Sequence, residues 1–266
     1  TALAEVMGMS LTGASSVPAM DSRGHQLAAA AGRRIVQLVW DDVKPSDIIG
    51  DASIRNAAKA CVALGGSTNA AIHLIAIARR AGSGFTLEEF DDIGRQVPVL
   101  ANVQPSGEYI MHEFADAGGL PAMLTQLASQ LELDAPTVTG ATLGENISHA
   151  KVGDPDVIRS MDNPVATEAL AVLKGNLAPN GCVIKPSAAT ESLLQHRGRA
   201  VVFENADDLA AGIHSPDLEV DADSVLILRN VGPLGGRGWR RTACYRFPRN
   251  SRSRAYAMWY ASVTRA

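Results

Sequence analysis

The residues best suited to chemistry stand in one short run, Gly65-Gly66-Ser67-Thr68-Asn69, directly before an apolar segment. Paired glycines let the backbone pass close to a ligand, and a serine or threonine can cap the helix that follows. Free amides at the start of that helix would suit a carboxylate or another anion. Gly66, Ser67, Thr68 and Asn69 are therefore candidates for binding a substrate or an anion. An ordinary turn with a helix cap explains the same residues.

A second polar group consists of His112, Glu113 and Asp116. His112 and Asp116 are four residues apart, so on a helix both side chains could reach one metal ion. The second histidine of the zinc-protease pattern is missing, and a solvated helix face is the interpretation we favour. His73 stands in an apolar run, which favours a core histidine with satisfied hydrogen bonds.

The cysteines and one lysine offer weaker signals. Three cysteines without close spacing give no metal motif and fit a reducing compartment. Cys61 and Cys182 are single thiols in apolar context, which indicates inert packing rather than a nucleophile. Lys185, before Pro186 and Ser187, either places a cation near a site or ends an exposed strand.

The elements that must position these residues predict a mixed α/β fold. Helical spacing of apolar residues predicts helices over 2–9, 22–43, 51–63, 70–81, 122–131, 163–173 and 207–213. Two further helices are predicted, one that starts at Thr86 and one that ends at Phe114. Short apolar or β-branched runs predict strands over 98–103, 182–185, 199–203 and 224–228, with β character also over 137–143. The change from helices to short strands near residues 175–190 predicts a domain boundary. The turn at 65–69 is expected to join a strand to a helix, with its amides facing a cleft.

Composition and charge exclude several classes of protein. With 46% hydrophobic and 20% charged residues, the chain is neither disordered nor a disulfide-rich miniprotein. No apolar run reaches the roughly 18 residues that cross a bilayer. Residues 237–266 contain eight arginines, six of the twelve aromatic residues and no lysine, aspartate or glutamate. Such a tail is typical of nucleic-acid binding, or else it is not native sequence.

Several blocks, in order along residues 1–236, resemble the dihydroxy-acid and sugar-acid dehydratase family, which includes phosphogluconate dehydratase. The blocks are Asp47-Ile48-Ile49, Cys61 to Leu74 with Gly65-Gly66-Ser67-Thr68-Asn69, Val103-Gln104-Pro105-Ser106-Gly107, Ala117-Gly118-Gly119-Leu120-Pro121, Gly175 to Gly181, Ile184-Lys185-Pro186-Ser187-Ala188-Ala189 and Arg229-Asn230-Val231-Gly232-Pro233. The segment 194–204 is closer to the sugar-acid branch than to the branched-chain amino-acid branch.

The resemblance implies a hydro-lyase that converts a 2,3-dihydroxy acid, such as arabinonate, xylonate or a precursor of branched-chain amino acids, to a 2-keto acid. Family members carry an iron–sulfur cluster on three cysteines, a nearby Mg²⁺ and a serine that takes the α-proton. The resemblance also implies a cytoplasmic homodimer that acts on a small molecule, with neither nucleic acid nor membrane as partner.

Carried over residue by residue, the resemblance leaves this chain without catalytic residues or metal ligands. The cluster cysteines and the Asp and Lys near Mg²⁺ would precede Thr1, and the Mg²⁺ glutamate and the serine would follow residue 236. Cys61, Cys182 and Cys244 match none of the cluster positions. We therefore expect an inactive fragment of an enzyme; the alternative is a non-catalytic binding or scaffold protein of the same fold.

The resemblance implies an incomplete αβα N-terminal domain over 1–185, the start of a β-rich C-terminal domain over 186–236, and a tail over 237–266. The tail is predicted to be out of frame. Suitable codons for residues 239–248, read one base earlier, give Met-Ala-Ala-Tyr-Gly-Met-Leu-Pro-Ile-Pro, and those for 258–265 give Asp-Val-Val-Arg-Val-Ser-Asp-Ala. Both strings resemble the family. One frameshift after Gly236 explains the excess of arginine and the loss of acidic residues, and predicts that the tail packs poorly.

Overall fold

The computed structural model describes residues 1–186, 189–221 and 223–229. The described chain forms two compact units. One unit holds residues 1–172 and 183–186, and the other holds 173–182 and the described residues from 189 onward. The tail over 237–266, with its predicted poor packing, lies outside the described residues. None of the described helices is long and apolar enough to cross a membrane.

Helices dominate the first unit. They are α1 (Ala2–Val6), α2 (Ser22–Trp40), α3 (Pro45–Ile48), α4 (Asp51–Ala63), α5 (Thr68–Arg80), α6 (Leu87–Gln96), α7 (Met111–Asp116), α8 (Gly119–Gln126) and α9 (Leu143–Ile147), with 3₁₀ turns at Ala14–Ser16 and Ala128–Gln130. The predicted helices over 22–43, 51–63 and 70–81 are confirmed to within three residues. Helix α6 starts where Thr86 Oγ1 accepts a hydrogen bond from Glu89 N at 3.2 Å, as its capping sequence predicts.

Helix α4 lies at the centre of the first core. Nine of its thirteen residues are buried, four of them alanine, and it contacts α1, α5 and α6. Its buried polar residue Asn56 donates to Glu132 O and accepts from Glu132 N, each at 2.9 Å. Small side chains let neighbouring helices approach closely, and the paired amide removes the cost of burying a polar group.

The apolar run over 98–103 is buried and extended, but it is not a strand of a regular sheet. Isolated bridges join Val99 to Ala166 and Ala101 to Ile158. The amides of Leu100 and Ala101 donate to Ala63 O, at 2.8 and 3.1 Å, where α4 ends. The run therefore fixes the carboxyl end of α4, next to the candidate turn.

Two local predictions are wrong. Residues 163–173 are not a helix, because the backbone of Val99 pairs with Val165 and Ala166 and draws the segment into an extended path toward a strand. Residues 137–143 form turns rather than a strand. There Thr137 Oγ1 donates to Ala141 O at 2.8 Å, and Thr142 caps α9. Tertiary and capping bonds outweigh β propensity in both places.

The strands form two small sheets. They are β1 (Ala171–Leu173), β2 (Cys182–Ile184), β3 (Ala200–Phe203) and β4 (Val225–Leu228). Strand β1 pairs with β2, and β3 pairs with β4 in parallel, from Ala200 opposite Val225 to Phe203 opposite Leu228. Helix α10 (Ala206–Gly212) connects β3 to β4 and contributes Leu209 to the small second core. The mixed α/β class is confirmed, with a helical N-terminal domain followed by the start of a second domain.

Candidate functional site

The turn at 65–69 joins two helices, α4 and α5, so the predicted strand-to-helix junction is wrong. Gly65 has a φ of +61°, and its amide donates to Val62 O, while Gly66 N donates to Cys61 O, both at 2.8 Å. These two bonds are the Schellman arrangement that ends many helices at a glycine. Gly65 is therefore required where α4 ends, because this arrangement needs a residue with a positive φ.

Gly66 is required by packing against the thiol of α4. A Cβ at this position would lie 2.6 Å from Cys61 Sγ and 2.7 Å from Cys61 O. Real Cβ atoms do not approach so closely, so any larger residue would push the turn away from α4. The absence of a side chain at 66 thus holds the start of α5 at a fixed distance from the core.

Ser67 is the N-cap of α5. Its Oγ accepts a hydrogen bond from Asn69 N at 3.3 Å, and Ser67 and Asn69 are exposed while Thr68 is half-buried. The amide of Thr68 has no acceptor among the described residues, as expected in the first turn of a helix. The turn therefore presents the open Thr68 amide, a serine hydroxyl and an asparagine side-chain amide at the positive end of a thirteen-residue helix.

Lys185 lies against this turn, 120 positions further along the chain. Its ammonium group donates a hydrogen bond to Gly65 O. The side chain is half-buried, and this burial lowers the pKa of Lys185. No carboxylate in the described ranges lies within ion-pair distance of it. Lys185 does follow the end of β2, but its side chain is half-buried rather than exposed. The sequence left open a cation near a site, without indicating that the site is this turn.

A third segment reaches the same place. The side chain of Ser106 is close to Gly65, since a Cβ on Gly65 would lie 3.8 Å from Ser106 Oγ. Buried Asn102 shapes this loop: its Oδ1 accepts from Glu108 N and its Nδ2 donates to Asp156 O, both at 3.1 Å. The turn at 65–69, the loop at 104–107 and the end of β2 therefore converge in the first unit.

The described thiols pack and do not fit a metal cluster. Cys61 is 1% exposed, and desolvation raises the pKa of its thiol to about 12. Burial also raises the pKa of Cys182, whose Sγ lies 3.6 Å from Leu173 O. Neither thiol belongs to a group of three or more His, Cys, Asp or Glu side chains that could hold a metal ion among the described residues. The interpretation of packing is confirmed for Cys61, which lies in the core, and stays a prediction for the half-buried Cys182; Cys244 lies outside the described residues.

The histidines do not form a metal site in the described part of the chain. His112 Nε2 and Asp116 Oδ2 are 3.5 Å apart on α7, and both side chains are well exposed. Glu113 instead caps α7, because its Oε2 accepts from Ile110 N at 2.8 Å. No group of three or more His, Cys, Asp or Glu among the residues described could hold a metal ion. The solvated helix face is confirmed, while the core position predicted for His73 is wrong, since that residue is exposed.

Comparison with known proteins identifies the family. Residues 1–146 match the model of the dihydroxy-acid/6-phosphogluconate dehydratase N-terminal domain, and residues 156–255 match that of its C-terminal domain. The chain belongs to this dehydratase family. The segments that converge on the 65–69 turn are among the blocks on which the sequence resembled these dehydratases.

Individual relatives agree with this assignment. The chain is 45% identical over 238 residues to an L-arabinonate dehydratase of Rhizobium leguminosarum, covering 88% of the chain and 41% of that protein. It is 45% identical over 242 residues to a 6-deoxy-6-sulfo-D-gluconate dehydratase of Pseudomonas putida, covering 90% and 42%. A dihydroxy-acid dehydratase of Methanothermobacter thermautotrophicus is 41% identical over 240 residues, covering 90% and 43%. The chain thus spans about two fifths of the length of these relatives.

Proposed function

We propose that this chain is part of a hydro-lyase that dehydrates a 2,3-dihydroxy carboxylic acid, either a sugar acid or a dihydroxy acid of branched-chain amino-acid synthesis, to a 2-keto acid. In that reaction the α-proton leaves C2 and hydroxide leaves C3, and the resulting enol tautomerises to the keto acid. The observation that carries the proposal is the meeting of the 65–69 turn, Ser106 and Lys185 in a chain of this family.

The site is suited to hold the carboxylate of such a substrate. An ammonium group has three donors, and Lys185 gives one of them to Gly65 O, which leaves two. The open Thr68 amide and the N-terminus of α5 add partial positive charge beside it. Partial burial strengthens the attraction, because the lower local dielectric screens it less than water does. Ser67 and Asn69 offer polar groups for substrate hydroxyls, and Ser106 lies close to Gly65.

The iron–sulfur cluster and Mg²⁺ of the family would be held by residues outside this chain. Among the described residues, no group of three or more His, Cys, Asp or Glu could hold a metal ion. We therefore assign to this chain carboxylate binding at Ser67, Thr68 and Asn69 together with Lys185, and no proton transfer. The candidate Gly66 shapes the turn instead, because its amide already donates to Cys61 O. The homodimer and the cytoplasmic location belong to the same proposal and rest on the family resemblance.

We also propose the division into 1–185, 186–236 and an out-of-frame tail over 237–266. The abrupt change of composition after Gly236 supports the frameshift. The C-terminal family match, however, ends at residue 255 rather than 236, and the proposal has to be tested against that match. Sequencing the coding DNA decides the matter, because the alternative frame must contain the two family-like strings.

Binding of L-arabinonate to the 266-residue chain tests the site. Amide chemical shifts of Thr68 and Asn69 are followed by NMR for the wild type, for Lys185→Met and for the exposed control Lys151→Met. We expect saturable shifts in the wild type and in the control, and roughly tenfold weaker binding in Lys185→Met, the usual effect of losing a charge-assisted hydrogen bond. Unchanged binding in Lys185→Met would contradict the proposal that Lys185 and the 65–69 turn bind the carboxylate.

Activity is tested separately. The chain is treated anaerobically with iron, sulfide and Mg²⁺ and assayed for keto acid from L-arabinonate, D-xylonate and 2,3-dihydroxyisovalerate. We expect no product above the rate without enzyme. Product formation together with cluster absorbance would show that catalytic residues lie within these 266 residues. Carboxylate binding without turnover is also what the alternative binding or scaffold protein would show, and the upstream and downstream coding DNA distinguishes that protein from an enzyme.

A further inference from the structure

A second possible site lies in the first unit, in a cavity of about 540 Å³. One wall is a stripe of helix α2 with Arg23, Gln26, Leu27, Ala30 and Arg33. The spacing of these residues places them on one face of the helix. The rest of the lining comes from the loop over 12–17 and from the junction of α7 and α8. A cavity of this size is in the usual range for small-molecule sites.

The loop wall is held in place by hydrogen bonds to α1 and α8. The carboxylate of Glu5 accepts from Gly13 N at 2.6 Å and from Ser15 N at 2.8 Å. Ser16 Oγ accepts from Leu120 N at 2.8 Å, and a Cβ on Gly119 would lie only 2.6 Å from that oxygen. The wall is therefore built before any ligand arrives, and binding need not order it.

The two arginines of the cavity differ in what they already bind. Arg23 donates to Asp21 Oδ2 through Nε and Nη2, at 2.9 and 2.6 Å, and Asp116 adds a further negative charge near it. Arg33 has neither an ion-pair nor a hydrogen-bond partner among the residues that the structure describes. With Arg23 held by Asp21, Arg33 is the cationic side chain of the lining that remains available to a ligand carboxylate.

The remaining lining is suited to hydroxyl groups beside short apolar stretches. Thr12 and Gln26 make no hydrogen bond to described residues, and Ser16 keeps its proton to donate after accepting from Leu120 N. Leu27 and Ala30 separate these polar groups with apolar surface. A ligand that matches has one carboxylate for Arg33 and several hydroxyls along a short carbon chain.

We propose that this cavity binds a small polyhydroxylated carboxylate, with Arg33 pairing with the carboxylate and Thr12, Ser16 and Gln26 binding hydroxyls. The cavity is separate from the 65–69 turn, since its lining includes no residue of that turn. The proposal does not depend on dehydration, and a planar guanidinium is the side chain that best fits a carboxylate through two parallel bonds.

The test is a titration of the 266-residue chain with sodium gluconate at constant ionic strength. Amide shifts of Gly13 and Gly118 report on the cavity, and those of Thr68 and Asn69 report on the other site. We expect saturable shifts of Gly13 and Gly118, and roughly tenfold weaker binding in Arg33→Gln. Thr12→Val, which removes only a hydroxyl, is expected to weaken gluconate binding by a smaller factor of about three to five.

Controls distinguish the effects of the ligand's charge, the ligand's hydroxyl groups and the position of the substituted arginine. Arg80→Gln removes an exposed arginine at the end of α5, outside the cavity, and is expected to bind gluconate as the wild type does. Acetate, which lacks hydroxyls, and sorbitol, which lacks charge, should both shift Gly13 and Gly118 less than gluconate at equal concentration. Equal affinity in Arg33→Gln, equal effects of sorbitol and gluconate, or absence of saturable shifts would each overturn the proposal. Lys185→Met is expected to leave the Gly13 and Gly118 shifts unchanged. The proposal for this cavity and the proposal for the 65–69 turn can therefore be contradicted separately.

Discussion

Helices α2 and α4 show how little amphipathic sequence says about burial. Both are predicted by the same helical spacing of apolar residues, yet α4 buries nine of thirteen residues whereas Leu38 is the one buried residue of the nineteen in α2. Trp40 and Val39 of α2 remain 80% and 73% exposed in the part of the chain that the structure describes. The spacing of apolar residues predicts that a helix forms. Whether that helix is buried depends on the segments that pack against it.

The same difference separates the two candidate sites. The 65–69 turn is set by the end of a buried helix, so its glycines, its cap and Lys185 are all constrained by the core. The cavity is set by an exposed helix against a loop, and its rigidity comes from Glu5 and Ser16 on the loop side. Substitutions should therefore be costly near α4 and mild on α2, unless they remove a group that contacts a ligand.

The largest effect is expected from a matched pair of isoleucines. Ile54 of α4 is 0% exposed, and Ile35 of α2 is 58% exposed. Ile54→Ala leaves a cavity in the core and should lower the free energy of unfolding by about 3–4 kcal/mol, whereas Ile35→Ala should change it by about 0.5 kcal/mol or less. Urea denaturation followed by circular dichroism measures both. Equal losses would mean that α2 is as buried in solution as α4.

A pair of glycines sharpens the contrast. Gly66→Ala forces a Cβ to 2.6 Å from Cys61 Sγ and should lower the free energy of unfolding by about 2 kcal/mol through overpacking. Gly32→Ala lies inside α2 with no other atom within 4 Å of the added carbon, so it should stabilise the chain by about 0.5–1 kcal/mol. The thermal midpoints of the two variants should move in opposite directions; a shift of both in one direction contradicts the contrast.

Sequence reasoning succeeded where bonding is local and failed where distant segments meet. The capping of α6 by Thr86 and the N-cap role of Ser67 follow from short-range chemistry. The wrong helix over 163–173 reflects pairing with Val99, and the contact of Lys185 with Gly65 O joins residues 120 positions apart. The segments around that contact were identified through family resemblance, but nothing in their local pattern shows that they meet.

A smaller effect concerns the pH dependence of α4 stability. Because the pKa of Cys61 is raised to about 12 in the folded chain, from its ordinary value of 9.0, the folded thiol keeps its proton where the unfolded one loses it. Its contribution to stability is complete below pH 9 and is lost as the pH rises toward 12. Between pH 9 and 10 this contribution should fall by about 1 kcal/mol.

Cys61→Ala isolates that contribution, because other groups also titrate in this range. Its free energy of unfolding should start lower, through the lost packing, but fall less steeply between pH 9 and 10 than that of the wild type. Urea denaturation at both pH values gives the two slopes. Parallel slopes would mean that the thiol ionises in the folded chain as readily as in the unfolded one, and that α4 is less protected than its burial indicates.

The smallest effect is expected outside both helices, from deletion of residues 237–266. If those residues are read out of frame, their apolar residues follow no selected period, and eight arginines without an acidic partner in the segment are too costly to bury. A chain that ends at Gly236 should then unfold within about 0.5 kcal/mol of the full chain, since surface changes away from the core have effects of this size. Urea midpoints of the two chains, measured alongside Ile54→Ala as a reference for a core loss, decide the question. A destabilisation comparable to that of Ile54→Ala would show that the tail contributes to a core, and would contradict the frameshift.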